Sequence, residues 1–323
     1  MMKPIIPPVD KELLLSELSQ LEKIRDTHHG GNEIYVFSAQ SSPNLMREVG
    51  RLREEAFRDG GGGTGMEIDI DEDDTAEDGY NQLIAWNPKA QEIVGGYRYI
   101  ISHQQHPQHL STEHYFKFSE QFREGYLPHT IELGRAFVQL KYQPTGEARC
   151  IYALDNLWDG IGALIALHPE AKYLLGKVTM YSSYNEEARN MLFYFLNRYF
   201  PDKQHLVEGL HPMHMDIDTE KYDKLFVGES YAENYGILRH SIREYNEMIP
   251  PLVNAYMNLS PSMLMFGTAI NHEFGNVEET GILIHVNELH EDKRKRHIVS
   301  FIEERPEYKK RVRGNKVIFG RPR

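Results

Sequence analysis

The run TIELGRAFVQL (130–140) sets Glu132 and Arg135 among Ile131, Leu133, Ala136, Phe137 and Val138. An ionisable group on an apolar strand needs a partner or a task, because burying an unpaired charge is costly. Burial would raise the carboxyl pKa and make Glu132 a proton acceptor suited to neutral pH. Arg135 lies three residues on, so a regular strand would point it to the opposite face. Gly134 between them predicts a β-bulge that returns both to one face. The pair reads equally as a structural ion pair. Arg98, in EIVGGYRYII (92–101), supplies a second cation for an anionic group or for ordering the acidic loop, or a surface charge. Asp71 and Asp74, in EIDIDEDDTAED (67–78), suit an ammonium group or a pairing with Arg53 and Arg98, or form a solvated loop. Arg53 and Phe57 share a helical face at i and i+4, where Phe57 reads equally as core.

Other chemistry-bearing stretches fit known patterns poorly. HQQHPQH (103–109) and HPMHMDID (211–218) concentrate imidazoles, but neither matches a helix-borne H-E-x-x-H, so no metal is expected. Cys150 has only Arg149 beside it to activate a thiolate and reads as a passive thiol. DGGGGTG (59–65) lacks the Lys-Ser/Thr of a phosphate loop and reads as a flexible linker.

Periodicity indicates the elements that must position these groups. Lys11–Arg25 has apolar residues near helical spacing, giving an N-terminal helical arm within residues 1–32. IYVFSAQ (34–40) is a strand, and a helix opened by Pro43 carries Leu45, Val49, Leu52, Ala56 and Phe57. YNQLIAW (80–86) and 92–101 flank the spacer NPKAQ as a hairpin. A short helix is expected around Glu113–Phe122, then the strand at 130–140. A helix at 152–168, a strand at 172–183 and a helix at 185–200 capped by Asn185 follow. Residues 202–246 read as an insertion, and 250–259 and 279–286 as a last helix and strand. This divides the chain into the arm, a catalytic-type domain over 33–290, and a basic tail over 291–323.

The 323 residues, 40% hydrophobic and 26% charged, exclude a disordered or disulfide-scaffold protein. No apolar run approaches a membrane span, and the N-terminus lacks signal-peptide character, so a cytoplasmic setting is expected. The net charge of −12 is uneven: the segment from Lys293 onward holds twelve Lys/Arg against three Glu, which leaves −21 on the rest. Bulk acidity argues against nucleic acid. The basic segment suits an acidic protein or an anionic membrane, or is a solvated extension.

This order of elements, with REEAF (53–57), Asp71 and Asp74 six residues before Tyr80, GGYR (95–98) and Glu132–Arg135, resembles the GNAT acyltransferases. The finer likeness is to the hemolysin-like branch that begins ornithine- and glycine-lipid synthesis, and more distantly to acyl-homoserine-lactone synthases. The resemblance implies an α+β fold with a mostly antiparallel twisted sheet flanked by helices, opened between two splayed strands. It implies an N-acyltransferase moving a 3-hydroxy fatty acyl group from acyl carrier protein to the α-amine of a small amino acid, glycine or ornithine. Glu132 and Arg135 would then be catalytic, and Arg98, Asp71, Asp74, Arg53 and Phe57 would bind substrate. Val178, Met180, Tyr181, Leu192, Phe193 and Phe195 would line the acyl tunnel. No permanently bound cofactor is implied; the donor is an acyl-phosphopantetheine on carrier protein, or acyl-CoA. Residues 141–158 depart from the wider superfamily in lacking the Q/R-x-x-G-x-G/A spacing that cradles the CoA pyrophosphate. An acetyl-CoA-dependent enzyme and a non-catalytic lipid- or carrier-binding protein are the alternatives.

Overall fold

Alternation of side chains in the hairpin builds the middle of the sheet. The computed structural model describes residues 2–102, 110–143, 152–213 and 217–305, and the backbone of 312–313 and 316–317. Helix α1 (Lys11–Leu18) is followed by strands β1 (Arg25–Asp26) and β2 (Glu33–Phe37), helix α2 (Pro43–Asp59) and the single turn α3 (Glu72–Thr75). The hairpin is β3 (Asn81–Asn87) and β4 (Glu92–Ile101); then come β5 (Phe116–Phe118), α4 (Glu120–Gly125) and β6 (Thr130–Val138). Next are α5 (Ala153–Leu167), β7 (Tyr173–Met180), α6 (Glu186–Tyr199), β8 (Val207–Gly209), α7 (Thr219–Leu225) and α8 (Tyr231–Glu244). The last elements here are α9 (Pro251–Met257), β9 (Leu264–Asn271) and β10 (Val277–His285). Eight strands form one sheet in the order β1-β2-β3-β4-β6-β7-β10-β9, antiparallel except for the β6–β7 pair.

Each strand divides its side chains between two layers, as a period of two requires. In β3, Leu83 and Ala85 join the core formed with α5, whereas Ile84 and Trp86 join the one formed with α2. Helix α2 earns its place through Leu45, Met46, Val49 and Leu52, all nearly inaccessible. Helix α5 is buried along almost its whole length. Asn185 caps α6 as expected, its side chain accepting from the backbone N–H of Glu187 and Ala188.

Three expectations change, and one strand had no counterpart among them. The N-terminal helix stops at Leu18, because Ile24 N–H bonds to Ile34 C=O and draws Arg25–Asp26 into the sheet. The helix expected at 113–122 is instead a 3-10 turn, the strand β5 and then α4; β5 pairs with β8 and buries both phenyl rings of Phe-Lys-Phe. LMFGTAIN forms β9, hidden in the sequence because Gly267 takes φ 92 in mid-strand. The glycine run is a packed loop rather than a linker: a Cβ on Gly62 would fall 2.9 Å from Tyr181 and 3.1 Å from Phe274. Glu54 secures that loop by accepting from Thr64 N–H, Thr64 Oγ1–H and Gly65 N–H.

The start of the basic segment also packs down rather than extending into solvent. Residues 291–304 form a helical run with a π-helical turn at Lys295–Val299, and His297, Ile298, Phe301 and Ile302 are buried. Gly162 of α5 makes the approach possible, since a Cβ there would lie 2.3 Å from the His297 carbonyl oxygen. Buried Asp159 joins three parts of the chain: it accepts from His28 N–H at 2.9 Å and contacts the Nδ1 atoms of His28 and His297 at 2.7 and 2.8 Å. Burial alone would push the Asp159 pKa up; the hydrogen bonds from His297 and His28 outweigh it and hold the value below the ordinary one. No helix among the described residues is long and apolar enough to cross a membrane.

A depressed folded-state pKa contributes stability that is present above about pH 4 and lost as pH falls through that range. Asp159→Asn is therefore expected to cost about 1–3 kcal/mol at pH 7. Urea unfolding at pH 7 and near pH 3 measures this, with the gap between wild type and variant closing on acidification.

Candidate active site

The site begins where two strands stop pairing. Strands β6 and β7 are in parallel register only from Thr130–Tyr173 to Leu133–Gly176. Beyond Leu133, β6 bulges: Gly96 faces Phe137 and Arg98 faces Gly134, so Tyr97 alone stands opposite Arg135 and Ala136. Arg135 takes φ 49, in the left-handed region that such an inserted residue often occupies. The strands diverge there, and a cavity of about 840 Å³ passes between them. Its wall on the α2 side includes Arg98, Asp71, Arg135, Lys177 and Glu279; towards α5 and α9 it is lined by Ala136, Val138, Ala153, Leu154, Leu252 and Val253. One end is polar and charged, the other apolar.

Arginines and aspartates lock the polar end. Arg98 donates to both oxygens of Asp71 at 2.7 and 2.8 Å and to Asp73 at 3.3 Å, and its guanidinium lies over the Tyr80 ring at 4.6 Å. Arg135 reaches Asp69 at 2.8 Å and Asp71 at 3.2 Å and covers the Phe274 ring, which meets Phe57 edge-on. Arg53, fully enclosed, holds Asp74 at 3.0 Å and Gln82. Burial pushes the Asp71 pKa up, but Arg98 and Arg135 overcome it and hold the carboxyl well below the usual range. Asp69 is raised, because complete burial outweighs Arg135 and Arg53. Asp71 and Asp74 also form a reciprocal cap on α3. The structure thus brings Arg98, Arg135, Asp71, Asp74 and Arg53 into one network, with Phe57 against its edge as both core and cavity wall.

Glu132 occupies the same face of the sheet but a different network. Its two oxygens accept from Tyr80 Oη–H, Ser111 N–H and Oγ–H, and Thr112 N–H and Oγ1–H. A carboxylate offers about four lone-pair directions, so five donors saturate it. It is 1% exposed and lies behind Ser111, outside the cavity wall. Glu132 is therefore not the ion-pair partner of Arg135, which pairs with Asp69 and Asp71, and its hydrogen bonds fix the turn that carries Ser111. Tyr80 is raised well above its ordinary pKa, by burial and then by the Glu132 charge, and so stays a donor.

Across the opening stand groups the sequence reading missed. Lys177 donates to Ser111 Oγ at 3.5 Å and lies over the Tyr115 ring at 5.2 Å; burial lowers its pKa, opposed by Glu279 and Glu132. Glu279, 5% exposed, accepts from Thr179 Oγ1–H at 3.0 Å and Asn271 Nδ2–H at 3.2 Å. A lone Lys in LLGKVTM and a Glu pair opening an apolar strand were the available signals. The acyl-tunnel reading is partly redrawn: Val178 and Tyr181 line the cavity, whereas Met180, Leu192, Phe193 and Phe195 belong to the core. Cys150, the 103–109 imidazoles, His214 and residues 144–151 of the absent CoA cradle lie outside the described residues.

Comparisons with known proteins bear on this geometry. A family model described as acetyltransferase (GNAT) domain matches residues 52–152. A protein of Phocaeicola vulgatus named glycine N(alpha)-acyltransferase is 52% identical over 319 residues, 97% of this chain and 98% of its own length. One of the same name from Bacteroides thetaiotaomicron is 53% identical over 312 residues, 95% of this chain and 93% of its own. A solved CoA-dependent acyl-homoserine lactone synthase, with SAM and isopentyl-CoA, overlays with a TM-score of 0.36 at 11% identity, covering 85% of this chain and 89% of that one.

If Glu132 is a saturated anchor, Glu132→Gln leaves several buried donors without an acceptor and should cost about 2–5 kcal/mol in urea unfolding. A variant as stable as the wild type would return Glu132 to the status of an uncommitted carboxylate.

Proposed function

This chain belongs to the glycine N(alpha)-acyltransferase family and is an N-acyltransferase of the GNAT fold; from that premise we propose that it transfers a long, 3-hydroxylated fatty acyl group from acyl carrier protein to the α-amine of glycine, opening an aminolipid pathway. The observation that carries the reading is the cavity running between β6 and β7 from a charged end to an apolar one. Glycine as acceptor rests on the name shared by two relatives that match nearly the whole chain. Ornithine has no such support.

Acyl transfer needs a neutral amine, a polarised thioester carbonyl and a protonated leaving thiolate. Past Leu133 the facing edge of β6 has no strand partner among the described residues, so its N–H groups are available to a carbonyl oxygen in the gap. The Arg–Asp network holds the bulge so that these donors need not reorganise during the reaction. The amine nitrogen bonds to the thioester carbon as the C–S bond breaks. Of the two protons the ammonium loses, one ends on the thiol and one passes to solvent. The apolar end, with Ala153, Leu252 and Val253, supports an acyl chain far larger than acetyl, since cavities of this size suit whole ligands rather than two-carbon groups.

Acyl carrier protein as donor is supported by the missing diphosphate-cradle spacing in 141–158, because a phosphopantetheine arm carries a single phosphodiester. The basic residues from Lys293 onward suit docking of that acidic partner. Exchanging Lys293, Lys295 and Lys309–Arg311 for Glu should raise KM for the acyl carrier protein. Unchanged kinetics together with binding to anionic vesicles would assign the segment to a membrane instead.

The purified chain supplied with glycine and a 3-hydroxyacyl thioester, on carrier protein or on CoA, should yield N-acylglycine by mass spectrometry, faster from carrier protein. Acylation of another amine in preference to glycine would refute the acceptor. Val253→Phe, which narrows the apolar end, should lower kcat/KM for the longest acyl chains about tenfold or more while sparing short ones.

A further inference from the structure

We propose that Lys177 and Glu279 form the seat for the acceptor's zwitterion, Lys177 binding its carboxylate and Glu279 receiving its ammonium group and then one of its protons. This deepens the glycine reading and rests on it. Glycine has no side chain to recognise, so selectivity must come from its two charges, and the cavity must offer one cation and one anion at short spacing.

Among the described residues, three long cationic side chains line the cavity. Arg98 is held by Asp71 and Asp73, and Arg135 by Asp69 and Asp71. Lys177 has no carboxylate oxygen within ion-pair distance among the described residues; its one hydrogen bond is the 3.5 Å contact to Ser111. A half-buried ammonium so poorly satisfied is costly, and a ligand carboxylate would supply what it lacks. Burial lowers the Lys177 pKa, and an anion bound beside it would raise it again.

Glu279 is the carboxylate matched to it. In the β10–β7 ladder Glu279 faces Thr179 and Gly281 faces Lys177, so the two charged residues share a face as diagonal neighbours. Their stems are then roughly 7–8 Å apart, a gap that a small amino acid reached by a long lysine side chain can bridge. Thr179 and Asn271 orient the Glu279 oxygens with one hydrogen bond each, which leaves lone pairs for an ammonium group. Glu132, by contrast, has none left. Proton transfer from the ammonium to Glu279 yields the neutral amine that attacks the thioester. The proton on Glu279 then passes to solvent, and the nitrogen's second proton goes to the departing thiolate.

The test compares glycine with glycinamide, which keeps the amine and lacks the carboxylate, in wild type, Lys177→Met, Lys177→Arg and Glu279→Gln. Lys177→Met should lower the preference for glycine over glycinamide in kcat/KM about 30-fold or more, with urea unfolding showing that the variant is folded. Lys177→Arg should recover part of the glycine preference. Glu279→Gln should lower kcat about 100-fold with both amines. If Lys177→Met keeps the wild-type preference for glycine, or Glu279→Gln keeps full kcat, the assignment falls. If the wild type ignores glycine but acylates another α-amino acid, the glycine reading fails, and the same comparison with that amino acid and its amide decides the role of Lys177. A wild type indifferent to the carboxylate overturns the seat outright.

Discussion

The parallel ladder between β6 and β7 ends after four residue pairs, and the cavity exists because it ends there. A parallel pair that continued to Val138 would close the gap with backbone hydrogen bonds. The extra residue at Arg135–Ala136 prevents this by turning β6 away from β7 while β6 remains paired with β4. Bulges bend the strand that carries them, and this one bends it at the centre of the sheet, where helices on both faces hold the opening in shape. The unpaired edge of β6 is a liability in an ordinary sheet; here it faces the space in which a thioester carbonyl would be polarised.

Holding a bulge in this position requires forces on its outer side, and the acidic loop supplies them. Asp69 and Asp71 grip Arg135, Asp71 and Asp73 grip Arg98, and Asp74 grips Arg53. The loop, the helix beneath it and both central strands are thereby joined through charge-assisted bonds, which are stronger and more directional than neutral ones. These arginines are consequently occupied. Across the gap, Lys177 and Glu279 line the same cavity on strands that are not tied to the acidic loop.

Much of this was legible along the chain. Most of the strand and helix order, the hairpin at 80–101 and the Asn185 cap follow from local periodicity and from single residues whose backbone preferences are strong; the bulge expected at Gly134 falls one residue on, at Arg135–Ala136, with the left-handed φ on Arg135. Glycine at 134 beside two charged residues in an apolar strand is a local signal, and the bulge is a local event. The small β5–β8 sheet and the β9 edge were not legible, because Phe116 pairs with Gly209, 93 residues away, and β9, although only 6 residues from β10 between Asn271 and Val277, is too glycine-broken to show alternation.

The sequence by itself determined the hairpin at 80–101 and a charged, glycine-interrupted strand at 130–140, because those features depend on neighbours within a few residues; the mostly antiparallel sheet was implied only by the family resemblance. Only the tertiary structure decided what each charge does. Glu132 and Arg135 stand three apart on one strand, yet one is claimed by Tyr80, Ser111 and Thr112 and the other by Asp69 and Asp71. Lys177 and Glu279, 102 positions apart, meet one cavity. Electrostatic pairing acts through space over a few ångströms, and which groups fall within that distance is settled when the sheet closes around them.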